Sequence, residues 1–209
     1  MNGTRQFQKQ ATRERIIAAA SRLFAEKGIL GTATEEVART AGVAHGTVFA
    51  HFRTQEALLT AVIEEFGAAV AGRLHELASR SRGVGAVLRA HLRGLSESEG
   101  LYRRLVIEGV RLPPRARTSL VMVQSAISSH VSEAAEQAME AGEISRMPVA
   151  LLFNTWIGLL HHYLANRDLF APEGGVLERR GPELYRHFLM LISEQKARRR
   201  GKEDSKWKS

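Results

Sequence analysis

Apolar side chains recur along most of this chain at three- and four-residue steps, the spacing of one helical face. Ile16, Ile17, Ala20, Leu23 and Phe24 form one such stripe, and Gly28 follows at the position of a C-terminal stop. Val37, Ala38 and Ala41 mark a short second helix that ends at Gly42, and Val48 and Phe52 mark a short third. Thr32 and Thr34 are both candidate N-caps for the second helix, with Thr32 and Glu35 spaced as a capping box. A long helix then runs from Glu56 to about Arg80, broken by Gly83-Val84-Gly85. Further helices are predicted near 85–96, 98–110, 115–141 and from Pro148 to about Ala165. Arg167 to Gly181 reads as a loop rich in Gly and Pro, with a last helix over about 182–197. Each of the five prolines is placed at a helix start or in a loop.

The segment Thr34 to Gln55 carries the most chemistry. Two short helices joined at Ala41-Gly42-Val43 form a helix-turn-helix, whose second helix is the one that enters a DNA major groove. Ala44, His45, Gly46 and Thr47 open that helix, and all are small or short, so its free N–H groups can approach a phosphate or base edge. The surrounding residues extend the pattern: Arg15-Ile16-Ile17-Ala18-Ala19-Ala20, Leu23-Phe24-Ala25-Glu26-Lys27-Gly28, Gly46-Thr47-Val48-Phe49, His51-Phe52 and Glu56-Ala57-Leu58-Leu59.

Over roughly residues 12–60 this run resembles the N-terminal domain of the TetR family of bacterial transcriptional regulators. The resemblance implies an all-α protein: a three-helix DNA-binding domain with a helix-turn-helix, then a larger helical effector-binding and dimerisation domain. It also implies a homodimer on a palindromic double-stranded DNA operator. The expected divisions are 1–55 for the DNA-binding domain, structured from about residue 10, 56–197 for the body, and 198–209 for a basic, disordered tail. By position in the family, Thr34, Glu35, Ala44, His45, Gly46, Thr47, Phe49, His51 and Gln55 are the DNA-facing residues, His51 rather as a brace for the helix end. The family often has Tyr at Phe49 and Lys at Gln55. Loss of that lysine makes the salt slope of binding shallower by about one unit, unless Arg53 substitutes.

Charge fits this division. Residues 1–60 hold 8 Lys/Arg against 5 Asp/Glu, residues 196–209 hold 7 against 2, and the stretch between them is balanced, within a net charge of +8. The absence of cysteine excludes disulfides and thiolate chemistry. The polar start MNGTRQFQKQ lacks an export signal, and the apolar run Val149 to Leu164 is too short to span a bilayer, so a cytoplasmic protein is expected. No carboxylate pair or nucleophile–base constellation with local spacing suggests an enzyme, and neither a cofactor nor a metal is expected. His161-His162 are adjacent and point about 100° apart on a helix, which suits no metal.

Tyr102, Leu105, Met122, Gln124, Ile127, His130, Phe153 and Trp156 are the candidate lining of an effector pocket, apolar with sparse polar groups, for a small hydrophobic or aromatic molecule. Leu152, Trp156, Leu159, Leu160 and Tyr163, with Leu184, Phe188, Leu191 and Ile192, form two stripes suited to a four-helix subunit interface. The expected protein is a ligand-released repressor. The alternatives are an effector-independent activator or architectural DNA binder and, last, a helical enzyme.

Overall fold

Helical periodicity is realised almost throughout in the computed structural model, which describes residues 2–78 and 83–193. Ten α-helices follow in order among these residues: α1 (Asn2–Lys27), α2 (Thr34–Ala41), α3 (His45–His51), α4 (Gln55–Ala78), α5 (Val84–Glu97), α6 (Glu99–Glu108), α7 (Pro114–Glu140), α8 (Val149–Ala165), α9 (Arg167–Phe170) and α10 (Val176–Ile192). A 3₁₀ turn, Gly109–Arg111, links α6 to α7, and among the described residues no strand forms beyond an isolated bridge between Ile144 and Ser193. The expected basic tail, 198–209, and the last residues of the predicted final helix lie outside the described residues.

Three local expectations are corrected. Neither threonine caps α2: Ala33 holds the cap position, and the buried Thr32 hydroxyl donates to the Gly28 carbonyl at 2.7 Å. Helix α1 starts at Asn2, ahead of the expected start near residue 10, and i,i+4 contacts such as Gln10 to Glu14 at 2.8 Å support it. The supposed loop up to Gly181 contains α9 and the first turn of α10, with Pro182 inside the helix. That start is set from a distance, because the Glu99 carboxylate accepts the N–H groups of Val176 and Leu177 at 2.7 and 2.8 Å. Two orphan donors of α10 are thereby satisfied by another helix.

Helices α1, α2 and α3 pack around Ile16, Ala20, Phe24, Val37, Val48 and Phe52, all buried. The body is built on α4, which lies against α5 and α7, with α8 and α10 closing the other side. Helices α4 and α7 pack tightly at Gly67, where an added Cβ would stand 2.4 Å from Val123 Cγ2. Gly67→Ala gains about 1 kcal/mol of helix propensity, but the overlap outweighs it. A net loss of about 1–3 kcal/mol is expected in denaturant unfolding. Adding Val123→Ala should recover stability; a Gly67→Ala protein as stable as the parent would refute the close approach.

The centre of the body holds a polar group. His91, 1 % exposed, accepts the Trp156 indole N–H at its Nδ1 (3.1 Å), which leaves the ring proton on Nε2. Nearby, the Tyr102 hydroxyl and His161 Nε2 share a 2.7 Å hydrogen bond, and the Tyr102 ring stacks on Phe66. Burial, and then the neighbouring His161, push the His91 pKa down to about 3. The unfolded chain therefore takes up a proton below pH 6.5 that the folded ring refuses until about pH 3. Stability from this group is complete above that window and is lost as pH falls through it. By pH 5 the loss is about 2 kcal/mol, almost independent of the folded value so long as it lies below about 4. His91→Gln keeps an acceptor for the indole and cannot titrate, so its loss between pH 7 and 5 should be smaller by that amount. Equal pH profiles for the two proteins would refute the assignment.

Candidate nucleic-acid interface

The turn of the helix-turn-helix is held by its own backbone and by α1. Gly42 sits at φ +65°, in the left-handed region, and its N–H and that of Val43 return to carbonyls in the last turn of α2. From α1, the Arg15 guanidinium donates to the carbonyls of Ala41 (2.6 Å) and Gly42 (3.2 Å). A cation thus satisfies the negative end of α2. Arg15 was not among the candidate residues, because a tie 26 positions long has no local signature.

Helix α3 presents one face inward and one outward. Val48 is buried, whereas Ala44, Gly46 and Phe49 are exposed and Thr47 is half-buried. Ala44 caps α3 in extended backbone, and His45, Gly46 and Thr47 occupy the first turn. No side chain stands over Gly46, where an added Cβ meets nothing within 4 Å.

Thr34, Glu35 and His45 come together. The His45 Nε2 lies 3.2 Å from the Thr34 hydroxyl and 3.3 Å from a Glu35 carboxylate oxygen, and its ring meets Phe49 edge-on at 4.8 Å. The starts of α2 and α3 are therefore joined by polar groups beside the exposed face. Gln55 is engaged elsewhere: its amide donates to the Thr32 carbonyl at 2.9 Å, linking the start of α4 to the loop before α2. His51 lies at the end of α3 beside Phe52, and its pKa is lowered, first by partial burial and then by Lys9 and Arg13.

That last pair reveals a feature absent from the sequence-based set. Arg5, Lys9 and Arg13 follow at four-residue steps along α1 and, with His51, line one broad shallow groove. The Arg13 guanidinium lies 5.2 Å over the Phe52 ring. A basic stripe thus lies beside the C-terminal end of α3. Its signal was present as i,i+4 spacing, but only a helix reaching back to Asn2 makes it a stripe.

The head is also fastened to the body. Arg104 on α6 donates to the carbonyls of Ala25 (3.4 Å) and Glu26 (3.1 Å) at the end of α1. The Glu108 carboxylate, one turn on, accepts the N–H groups of Ile29 (3.1 Å) and Leu30 (3.0 Å). Gly28, at φ +92°, leaves room for it, since a Cβ there would stand 2.9 Å from Glu108 Oε1.

The candidate effector residues are not brought into one pocket. Tyr102, Leu105, Phe153 and Trp156 are buried in the packed core. Met122, Ile127 and His130 line a surface groove of about 330 Å³ between α4 and α7, and Gln124 is half-buried on α7. The candidate interface stripes divide likewise. Leu152, Trp156, Leu160, Leu184, Phe188 and Ile192 are buried within the subunit and have no surface to offer a partner. Leu159 and Tyr163 are half-buried, and Leu191 is exposed.

Comparison with known proteins agrees with this geometry. The family model of the bacterial regulatory proteins of the TetR family matches residues 16–62. The HTH-type transcriptional regulator UidR of Escherichia coli is 27% identical over 143 residues, 67% of this chain and 72% of UidR. The regulator YerO of Bacillus subtilis is 41% identical over 54 residues, 26% of this chain and only 19% of YerO. Among solved structures, a TetR-family transcriptional regulator from Agrobacterium tumefaciens superposes with a TM-score of 0.74 at 16% identity, over 88% of this chain and 99% of that one. Residues 16–62 are thus a DNA-binding head of the TetR type, and the helical body behind it has the fold of a solved TetR-family transcriptional regulator.

Proposed function

We propose that this protein is a repressor that binds a palindromic operator as a homodimer and is released by a small hydrophobic effector. The observation that carries the reading is α6. Its Tyr102 and Leu105 belong to the body core, while its Arg104 and Glu108 grip the end of α1 and the loop after it. A shift of α6 cannot leave the head where it was. Such couplings typically amount to ~1–3 kcal/mol.

The groove between α4 and α7 is the better candidate for effector entry, because its walls are mainly apolar (Gly67, Ala68, Met122, Ile127), with Glu64, Ser119 and His130 as the polar groups among them. The dimer surface is best sought on the faces of α8 and α10 that the subunit leaves bare. Leu151, Thr155, Gly158 and His162 form one exposed stripe, with Met190 and Leu191 on α10. Two copies of such a face would make an isologous contact and set the distance between heads.

The test is selection of bound fragments from the host genome by the purified protein, then footprinting and a small-molecule screen. A dyad-symmetric footprint relieved by an apolar compound is the expected result. Binding that no compound alters would favour the effector-independent reading, and a monomer on an asymmetric site would overturn the proposal. On the selected operator, Lys9→Ala should lower the slope of log K against log salt by about 0.9 per subunit. An unchanged slope would remove the α1 stripe from the interface.

A further inference from the structure

The first turns of α1 have no packing role in the head. Residues 4–10 are all exposed, the first buried residue of the helix is Ile16, and the family match also begins there. Local electrostatics works against these turns as well. A helix N-terminus favours carboxylates, yet no Asp or Glu occurs before Glu14 and the first turn of α1 holds no acid. Arg5, Lys9 and Arg13 stand instead at four-residue steps, where like charges repel one another along a helix face. Among the described residues none of the three forms an ion pair. The free protein thus carries a repulsion that nothing within it relieves.

The place of the stripe says what would relieve it. Arg5, Lys9 and Arg13 line one groove with His51, the last residue of α3. A reading helix puts its N-terminal residues on base edges. Helix α3 has 7 residues, which makes it about 10 Å long, in a major groove about 12 Å wide. Its C-terminal end at His51 therefore lies toward the phosphate wall of that groove, and the stripe lies beside this end.

We propose that the first three turns of α1 are a helical arm laid along the sugar-phosphate backbone next to the half-site that α3 reads, with Arg5, Lys9 and Arg13 each facing a phosphate. The cations advance by about 6 Å per step, and each strand offers a charge about every 3.4 Å of its axis, so all three find a phosphate without touching a base. The arm adds affinity and lengthens the footprint but carries no sequence information. It rests on α3 as the reading helix and on neither repression nor an effector.

The experiment compares the full chain with its Arg5→Gln/Lys9→Gln variant. Fluorescence anisotropy at several salt concentrations uses a duplex of unrelated sequence, and hydroxyl-radical footprinting uses the operator selected by the parent. The slope of log K against log salt should fall by about 1.8 per subunit, and affinity at about 0.1 M salt by about tenfold or more. Protection beside the half-site should vanish in the variant while protection under α3 persists. The thermal unfolding midpoint should hold or rise, since the variant removes only repulsion. Arg146→Gln/Arg186→Gln, the same charge change on exposed residues of the body, should leave slope and footprint as in the parent. An unchanged slope, or flanking protection that persists in the variant, would overturn the proposal. So would a lowered midpoint with loss of protection under α3, because the turns would then serve the fold of the head. A parent whose slope responds as stated on the unrelated duplex, yet protects no half-site, would support the arm and count against the α3 reading alone.

Discussion

Replacing Gly46 with leucine is expected to leave the fold intact and to abolish sequence-specific DNA binding. Glycine at this position, in the first turn of α3, costs the free protein some stability, because alanine is the better helix former by at most about 1 kcal/mol. Nothing inside the protein requires it: the residue is exposed, its φ is not positive, and an added Cβ meets no atom within 4 Å. What a side chain there would meet is a duplex approaching the open end of α3. Gly46→Ala should therefore raise the unfolding midpoint slightly, while Gly46→Leu should lower operator affinity toward the non-specific level, about 10³-fold or more. Thermal unfolding and fluorescence anisotropy on one set of samples separate the two effects. A leucine variant that binds its operator as tightly as the parent would show that this face does not dock.

The same residue shows what the sequence makes legible. Helix-turn-helix geometry is local: Gly42 stops α2, Val48 and Phe52 turn inward at a four-residue step, and short side chains open α3. Periodicity and turn chemistry within some twenty residues suffice for this. Ties between distant residues are not written that way. Glu99 starts α10 from 77 positions away, and Glu108 receives Ile29 from 79. Neither carboxylate differs by sequence context from one that merely faces water.

Helix α8 shows a subtler limit. Apolar residues surround it so widely that a stripe can be drawn for the core and another for a partner, and periodicity alone does not rank them. Packing does. Leu152, Trp156 and Leu160 turn inward, so the bare face passes through Leu151, Thr155 and Gly158 instead. The effector set divides for the same reason. Helix α7 is 27 residues long, and Met122 and Ile127, both apolar, lie on parts of it with very different exposure.

Trp156 is where the core assignment has its largest measurable consequence. The indole is fully buried, packs on Phe188 at a ring separation of 5.1 Å, and supplies the hydrogen bond to His91. Trp156→Ala should cost about 3–5 kcal/mol, since it removes a large apolar surface and leaves a cavity. Against a total stability of about 5–15 kcal/mol this is about a fifth of the fold or more. Trp156→Phe keeps most of the volume but strips the buried His91 Nδ1 of its donor, so about 1–3 kcal/mol is expected. The order alanine, phenylalanine, parent in denaturant midpoints tests packing and hydrogen bond separately. Concentration adds a third reading. A core residue lowers stability equally at all protein concentrations, whereas a residue at a subunit contact acts through association and so depends on dilution. An alanine variant that loses less than 1 kcal/mol at any concentration would return Trp156 to the surface.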